Sequence, residues 1–338
     1  MAKNWALIIG INNYEFLQPL RYAKQDAEAV QDFLINKAEF EQVLCFMDNS
    51  QNVGGELTQP SYSNLVRVLN QVFKTPFMTE EDSFWFFFSG HGIRHQNRDY
   101  LMPLDGDPKN VAQTGISTTY VAEQLRRSGT GNVIMILDAC RSENYNGGGG
   151  IGAETGAETR QTEGVTLFSC SSNQYSYEID EIQQGAFTAA LLEGLGIQGR
   201  NATLRRLNQY LQIRVPEIVG QYFKPAKQTP YIIAKPEKLT HLVLMPNYAG
   251  SSLRNDVDGA KNSKIMDLSE QLWSQGLAVA PEQNESVLNA PNAISDIEIK
   301  DSFSSKEEIL SDLKQAWHEA MTGQTIPVSQ LWDDLNND

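Results

Sequence analysis

The chain has 338 residues, 41% of them hydrophobic, enough for one large α/β core and an additional segment. Its net charge of −15 argues against nucleic acid as a partner. No apolar run is long enough to span a membrane, and three cysteines without metal-ligand spacing exclude a disulfide framework or a zinc site. We therefore expect a cytoplasmic protein that binds neither nucleic acid nor a membrane.

Apolar runs and helical periodicities alternate along the first two-thirds of the chain. In chain order, strands are predicted at 5–11, 42–47, 83–88, 132–137, 165–170 and 231–234, and helices at 23–34, 65–72, 118–127, 187–195 and 204–215. A hairpin is expected around 100–104, and a short edge strand at 242–245. This alternation predicts an α/β three-layer sandwich, with a mostly parallel six-stranded sheet and helices on both faces.

Two short motifs follow the third and fourth predicted strands. The first is Ser-Gly-His-Gly at 89–92, and the second is Asp-Ala-Cys-Arg-Ser at 138–142. Both predicted strands end at the same edge of the sheet, where sites in open parallel sheets are built. A cysteine and a histidine brought together there can perform nucleophilic catalysis, because the imidazole takes the thiol proton and later protonates the leaving amine. His91 and Cys140 are therefore the candidate catalytic pair.

These motifs resemble those of metacaspases, and in particular the small prokaryotic type called orthocaspases. His91 lies about 50 residues before Cys140, which is the caspase spacing. The resemblance covers roughly residues 1–246. It implies a caspase-like fold whose sixth strand is antiparallel, and an oxyanion hole formed by the backbone N–H groups of Gly92 and Cys140.

The residues around the candidate pair indicate the charge of the substrate. Side chains two apart on a strand share a face, so Asp138 is expected beside Cys140, and Ser89 beside His91. An unpaired carboxylate would weaken a neighbouring thiolate, so Asp138 makes chemical sense when a substrate Arg or Lys neutralises it. The metacaspase resemblance adds Asp26 to this pocket. As an alternative, Asp26 is a solvated charge in the first turn of a helix.

The resemblance divides the chain into four parts. These are a large catalytic part at 1–143, a glycine-rich linker at 144–164, a small catalytic part at 165–246 and an acidic extension at 247–338. The linker is expected to be exposed and mobile, and its single basic residue, Arg160, is the predicted site of self-cleavage. The alternative is a flexible linker in which Arg160 is incidental. The extension has helical periodicity and three tryptophans, which we expect to pack on the catalytic part or on a partner.

Two further features bear on the reaction. The resemblance raises the question of calcium, for which Asp99, Asp105 and Asp107 are the available ligands. Because Ser117, Thr118 and Thr119 replace the acidic pair of calcium-dependent members, we expect activity without calcium and no other cofactor. Cys170, after the fifth strand, is interpreted as a supporting residue of the pocket.

The sequence thus predicts a monomeric cysteine endopeptidase that cleaves peptides and proteins after Arg, and less well after Lys. The alternative is a catalytically silent caspase-like module that acts as a scaffold through its acidic extension.

Overall fold

The computed structural model describes residues 2–48, 58–141, 151–162, 164–198, 203–242 and 244, apart from the side chains of residues 140, 141, 161, 162, 197, 198 and 238. All of these residues belong to one compact unit of the chain. The start of the predicted linker and the acidic extension at 247–338 lie outside the described residues. Within the described ranges, no helix has both the length and the apolar character needed to cross a bilayer.

The strands of the described residues form one large sheet and one small hairpin. They are β1 (Asn4–Gly10), β2 (Gln42–Met47), β3 (Ser83–His95), β4 (Arg98–Leu101), β5 (Ile116–Ser117), β6 (Asn132–Arg141), β7 (Gly164–Phe168), β8 (Glu178–Ile179), β9 (Gln184–Gly185) and β10 (Tyr231–Lys235). The main order is β10-β7-β6-β3-β1-β2, with β4 and β5 attached to the end of β3. Along this path β7, β6, β3, β1 and β2 pair in parallel, and β10 at the other end is antiparallel to β7. The predicted mostly parallel six-stranded sheet is confirmed.

Helices cover both faces of this sheet. They are α1 (Ala23–Asn36), α2 (Tyr62–Val72), α3 (Val111–Thr114), α4 (Thr118–Arg126), α5 (Ala153–Thr162), α6 (Ala186–Gln198) and α7 (Leu204–Tyr222), followed by a 3₁₀-helix at Glu237–His241. The predicted edge strand at 242–245 is absent at residues 242 and 244, the two positions of that range that the structure describes.

The aromatic run of β3 explains why helices must lie on both faces. Successive side chains of a strand point to opposite faces, and every residue from Phe84 to Phe88 is buried. Trp85 and Phe87 belong to the apolar cluster that also contains residues of α1, α6 and α7. Phe86 and Phe88 lie instead with Leu65 of α2 and Val121 of α4. Each such ring contributes about 2 kcal/mol through burial, so the run anchors the centre of the sheet.

The two central strands are longer than their apolar runs predict. We expected β3 and β6 to end before His91 and Cys140, but β3 continues to His95 and β6 to Arg141. The extension of β3 is stabilised by antiparallel pairing with β4, from Gly92 opposite Leu101 onward. Both candidate catalytic residues therefore lie on extended, paired backbone rather than in loops.

The predicted mobile loop at 144–164 is wrong for residues 153–162, which form α5. This helix packs against β7 and β10, with Thr155 and Thr159 buried. Thr159 Oγ1 donates to the carbonyl of Thr155 at 2.8 Å and lies 2.8 Å from the hydroxyl of Thr166 on β7. Polar residues thus form the buried face of α5, which is why apolar periodicity did not reveal the helix.

Candidate active site

The register of β3 and β6 brings the two motifs together. The strands are parallel neighbours, with His91 opposite Cys140 and Ser89 opposite Asp138. Adjacent strands lie about 4.8 Å apart, so the backbones of His91 and Cys140 are direct neighbours. The side chain of Cys140 lies outside the described part of the structure. Because strand side chains alternate, positions 89 and 91 share one face of β3, and positions 138 and 140 share the same face of β6.

The imidazole of His91 is held in one orientation. Its Nε2 lies 2.7 Å from the backbone carbonyl of Gln18, and because a carbonyl can only accept, Nε2 carries the hydrogen. The buried Nδ1 has no hydrogen-bond partner among the described residues, so its lone pair is available as a base. Burial lowers the pKa of His91, while the bond to Gln18 acts in the opposite direction. The neutral imidazole, which can accept a proton, is thereby favoured.

Tyr14 supports the histidine from the loop after β1. The backbone N–H of His91 donates to the Tyr14 hydroxyl at 2.8 Å, and the two rings are 4.8 Å apart. A Cβ at Gly90 would lie only 2.5 Å from the Tyr14 hydroxyl, so this approach requires glycine at position 90. Gln18 and Tyr14 therefore fix the ring from the same loop.

Asp26 is buried in the first turn of α1 and points toward β3. Its exposed fraction is 2%, which rules out the alternative of a solvated charge. The Ser89 hydroxyl donates to Oδ2 at 3.1 Å, and the backbone N–H of Gly185 donates to Oδ1 at 2.9 Å. Burial, followed by repulsion from Asp138, raises the pKa of Asp26 well above its usual range.

Asp138 is equally buried on β6 and is surrounded by hydroxyl groups. Ser176 Oγ donates to Oδ1 at 2.7 Å, and Thr188 Oγ1 donates to Oδ2 at 2.7 Å. Burial raises the pKa of Asp138, whereas the hydroxyls of Ser176, Thr188 and Ser169 favour its charged form. The carboxylate is therefore held in place by several donors within a poorly solvated environment.

Gly185 lies between the two carboxylates. A Cβ at this position would be 2.8 Å from Asp26 Oδ2 and 3.0 Å from Asp138 Oδ2. None of the ion pairs found within the described residues includes either carboxylate. Two buried carboxylates this close cannot both ionise cheaply unless a cation lies with them. The arrangement is chemically suited to bind a positively charged group.

Glu178 connects this pocket to the start of α1. Its carboxylate accepts the backbone N–H groups of Arg21, at 3.0 Å, and Tyr22, at 2.6 Å. An acidic side chain is favoured near a helix N-terminus, where backbone N–H groups lack partners. Because Glu178 belongs to β8 and Gly185 to β9, this contact fixes the hairpin against α1 and places Gly185 beside Asp26.

The three aspartates considered for calcium have separate partners. Asp99 Oδ2 accepts the backbone N–H groups of Gly152, Glu154 and Thr155 and the Thr155 hydroxyl, all within 3.1 Å. Asp105 accepts the backbone N–H of Tyr62. Asp107 accepts the backbone N–H of Lys109 and the side-chain amide of Asn110. The described residues contain no group of three or more His, Cys, Asp or Glu arranged to hold a metal ion. Calcium independence stays a prediction.

Asp99 has a structural role that the sequence did not reveal. The N–H groups that it accepts are those at the N-terminus of α5, which otherwise have no partner inside the helix. In return, the backbone N–H of Asp99 donates to Glu154 Oε2 at 2.6 Å. This is the arrangement of a capping box, with the cap supplied by β4 instead of the preceding residue.

The structure also locates the predicted self-cleavage residue, Arg160, and the predicted supporting residue of the pocket, Cys170. Arg160 lies in the last turn of α5, and its side chain is exposed. Cys170 is buried, and burial raises the pKa of its thiol to about 12. A thiol with this pKa is a poor nucleophile at neutral pH, consistent with the interpretation of Cys170 as a supporting residue.

Several residues of the site escaped the sequence analysis. Tyr14, Gln18, Ser176, Gly185 and Thr188 contact His91, Asp26 or Asp138, yet no motif surrounds them. Gly185 and Thr188 lie at the start of α6, a helix that apolar periodicity does predict, but no sequence signal marks their contacts with the carboxylates.

Comparison with known proteins identifies the class to which this fold and site belong. Residues 3–240 match the family model of the caspase domain, so the chain belongs to the caspase domain family of cysteine-type peptidases. It is 24% identical over 213 residues to a probable protease of a Desulfuromonadales bacterium, covering 57% of this chain and 26% of that protein. The chain thus spans about a quarter of the length of this relative.

Among solved structures, the chain is similar to a Geobacter sulfurreducens protein from a structural genomics programme. The TM-score is 0.47 with 18% sequence identity, and the match covers 68% of this chain and 92% of that one.

Proposed function

We propose that this chain is a cysteine endopeptidase of the orthocaspase type, which cleaves peptide bonds after Arg and less well after Lys. The observation that carries the proposal is the pair of buried carboxylates, Asp26 and Asp138, next to the strand positions of His91 and Cys140. A guanidinium between the carboxylates would supply the missing cation. Arg is preferred over Lys because its planar group can bond carboxylate oxygens in pairs.

The reaction begins with proton transfer from the Cys140 thiol to Nδ1 of His91. The thiolate then attacks the carbonyl carbon of the substrate, and the backbone N–H groups of Gly92 and Cys140 bind the resulting oxyanion. Collapse of this intermediate breaks the C–N bond, and His91 gives its proton to the leaving amine. Water completes the cycle: His91 takes a proton from it, the hydroxide attacks the thioester, and the proton returns to the Cys140 thiolate.

Gln18 and Tyr14 support this sequence of steps. Because the Gln18 carbonyl accepts the hydrogen on Nε2, the tautomer with a basic Nδ1 is favoured, and it stabilises the imidazolium formed after proton transfer. Tyr14 fixes the backbone of His91. The low pKa that burial imposes on the histidine keeps it in the neutral form that starts the reaction.

The experiment compares wild-type protein with Cys140→Ala on peptide amide reporters that end in Arg or in a neutral residue. We expect hydrolysis after Arg by the wild type, and less than about 1% of that rate in the variant, because the thiolate is required in every later step. Circular dichroism checks that the variant is folded. Wild-type protein that hydrolyses neither reporter would instead support the scaffold alternative.

We also propose self-cleavage after Arg160, with a condition that the fold adds. Proteases bind their substrates as extended, locally unfolded chain, whereas Arg160 lies in the last turn of α5. The C-terminal end of the helix must therefore unwind before cleavage. Intact mass measurement of the purified protein tests this proposal: we expect two fragments from the wild type and an uncut chain from Arg160→Ala. Wild-type protein that remains uncut while hydrolysing the Arg reporter would contradict it.

A further inference from the structure

Gln228 is a buried amide that none of the steps above uses. It precedes β10 in the chain, and its exposed fraction is 0%. Its Oε1 accepts the backbone N–H of Tyr177 at 2.9 Å. Its Nε2 donates to the Ser169 carbonyl and to the Ser176 hydroxyl, each at 3.0 Å. With these three hydrogen bonds the buried amide is satisfied, and it links three segments of the chain to one another.

These contacts fix the direction of each hydrogen bond. The Tyr177 N–H can only donate and the Ser169 carbonyl can only accept, so the oxygen and nitrogen of the Gln228 amide cannot be exchanged. Ser176 Oγ accepts from Gln228 Nε2 and donates its own hydrogen to Asp138 Oδ1, which lies 2.7 Å away.

We propose that Gln228 is a positioning residue for substrate specificity, which acts through the Ser176 hydroxyl to keep the Asp138 carboxylate charged and oriented toward a guanidinium. The inference rests on the proposed preference for Arg. Gln228 does not contact Asp138. It bonds the Ser176 hydroxyl, which itself donates to Asp138, whereas at Ser169 it contacts only the backbone carbonyl, so the inferred route is through Ser176. A hydrogen bond to the charged form of a carboxyl group lowers its pKa, opposing the rise that burial causes here.

The groups around Asp138 determine how binding depends on pH. Among the side chains that the structure describes, Asp26 from α1 and Cys170 after β7 interact with it electrostatically, and both interactions disfavour additional negative charge. His91 and Cys140 lie two positions further along β3 and β6. Loss of the Ser176 bond leaves Asp138 with the same repulsion but one donor fewer, which raises its pKa. As the pH falls, the carboxyl group then becomes neutral, and stops binding a cation, at a higher pH.

The test measures binding of agmatine, which carries the guanidinium and stem of an arginine side chain, to the full chain by calorimetry. All proteins carry Cys140→Ala, so that the chain stays uncut and no chemistry follows binding. We expect Ser176→Ala to raise the Kd for agmatine about tenfold at pH 7, because it removes a hydrogen bond to the charged Asp138 carboxylate. Gln228→Met should raise this Kd severalfold. In Ser176→Ala, the pH below which binding is lost should move up by about one unit, because a tenfold change in an equilibrium constant corresponds to one pKa unit, and in Gln228→Met it should move up by less.

A double-variant cycle separates positioning from a general effect on the fold. If Gln228 acts through Ser176, then Gln228→Met causes no further loss on the Ser176→Ala background. Gln174→Met is the matched control, because Gln174 bonds Thr229 in the same region without touching Asp138. If Gln228→Met fails to fold, Gln228→Asn keeps an amide but shortens its reach, and the same losses are expected.

The outcomes distinguish this inference from the proposed function. Binding that Gln228→Met leaves unchanged, or that it weakens equally with and without Ser176, overturns the inference alone. An equal loss in Gln174→Met also overturns it. A parent chain that does not bind agmatine overturns both the inference and the proposed pocket, whereas the peptide reporters test the peptidase activity separately.

Discussion

Asp99 and the pair formed by Asp26 and Asp138 are all buried, but their surroundings differ. Asp99 accepts three backbone N–H groups and a hydroxyl at the N-terminus of α5, where a negative charge is favoured. Asp26 and Asp138 instead face each other across Gly185 and are held mainly by hydroxyl groups. Asp99 is therefore satisfied by donors within the fold, whereas the pair is completed, under the proposed function, by a cationic ligand.

This comparison separates the structural carboxylate from the two that are proposed to bind a cation. Burial alone does not, because all three residues are at most 3% exposed. What differs is the charge nearby: Asp99 accepts several N–H groups of one helix terminus, whereas Asp26 and Asp138 lie close enough to repel each other and are bonded largely by hydroxyl groups. Burial, followed by repulsion from Asp138, raises the pKa of Asp26, and a cationic ligand between the two carboxylates would oppose both effects.

The largest expected effect follows from removing one charge of the pair. Asp138→Asn keeps the shape of the pocket but not its charge, so kcat/KM for the Arg reporter should fall about 100-fold, or about 3 kcal/mol. Asp99→Asn is the matched variant at the structural site, and it should leave the ratio of Arg to neutral reporters unchanged. Steady-state kinetics of both variants provide the check. An Arg preference that survives Asp138→Asn would show that the pair is not the specificity pocket.

The second prediction concerns the structural carboxylate. Asp99→Ala leaves the N-terminal N–H groups of α5 buried without an acceptor, so the free energy of unfolding should fall by about 3 kcal/mol. Urea unfolding measures this, with Asp32→Ala as the control: Asp32 is exposed on α1, and its loss should change stability by less than about 0.5 kcal/mol. Equal effects of the two substitutions would mean that Asp99 does not hold α5 in place.

The third prediction fills the space between the paired carboxylates. In Gly185→Ala, the added methyl group would lie against Asp26 and Asp138, so KM for the Arg reporter should rise about tenfold. Gly196→Ala is the control, since a Cβ at Gly196 on α6 meets no atom within 4 Å. If both variants bind the reporter as the wild type does, the guanidinium does not enter between these carboxylates.

The smallest effect is on stability and depends on pH. The pKa of Asp26 is raised in the folded protein, so its contribution to stability is full below the unfolded pKa of about 4 and is lost as pH rises. Relative to the wild type, the Tm of Asp26→Asn should therefore increase by a few degrees between pH 4 and pH 7. Thermal unfolding across this range tests the sign. A difference in Tm that stays constant, or that moves the other way, would place Asp26 with Asp99 among the structural carboxylates.

The sheet and the adjacency of the two motifs could be predicted because their signals are local. The aromatic run of β3 and the aliphatic run of β6 are each sufficient to mark a buried strand, and parallel pairing then brings position 91 opposite position 140. The lengths of these strands could not be predicted, because the extension of β3 depends on pairing with β4.

Other features depend on residues that are distant in sequence. Helix α5 has a polar buried face, and its N-terminus is capped by Asp99 from β4, so neither of the usual helix signals is present in its own sequence. The partners of Asp138 come from three separate segments, through Ser176, Thr188 and, indirectly, Gln228. Serine, threonine and glutamine are common in loops and helices, and only the folded arrangement shows which of them contact the carboxylates.

The most direct test of the central claim compares two peptide reporters that differ in one group. One carries Arg before the cleaved amide, and the other carries citrulline, which has the same length and shape but no charge. If Asp26 and Asp138 bind a cation, wild-type kcat/KM should be at least about 100-fold higher for the Arg reporter. Equal values for the two reporters would contradict the claim, because recognition would then depend on shape and not on the paired carboxylates.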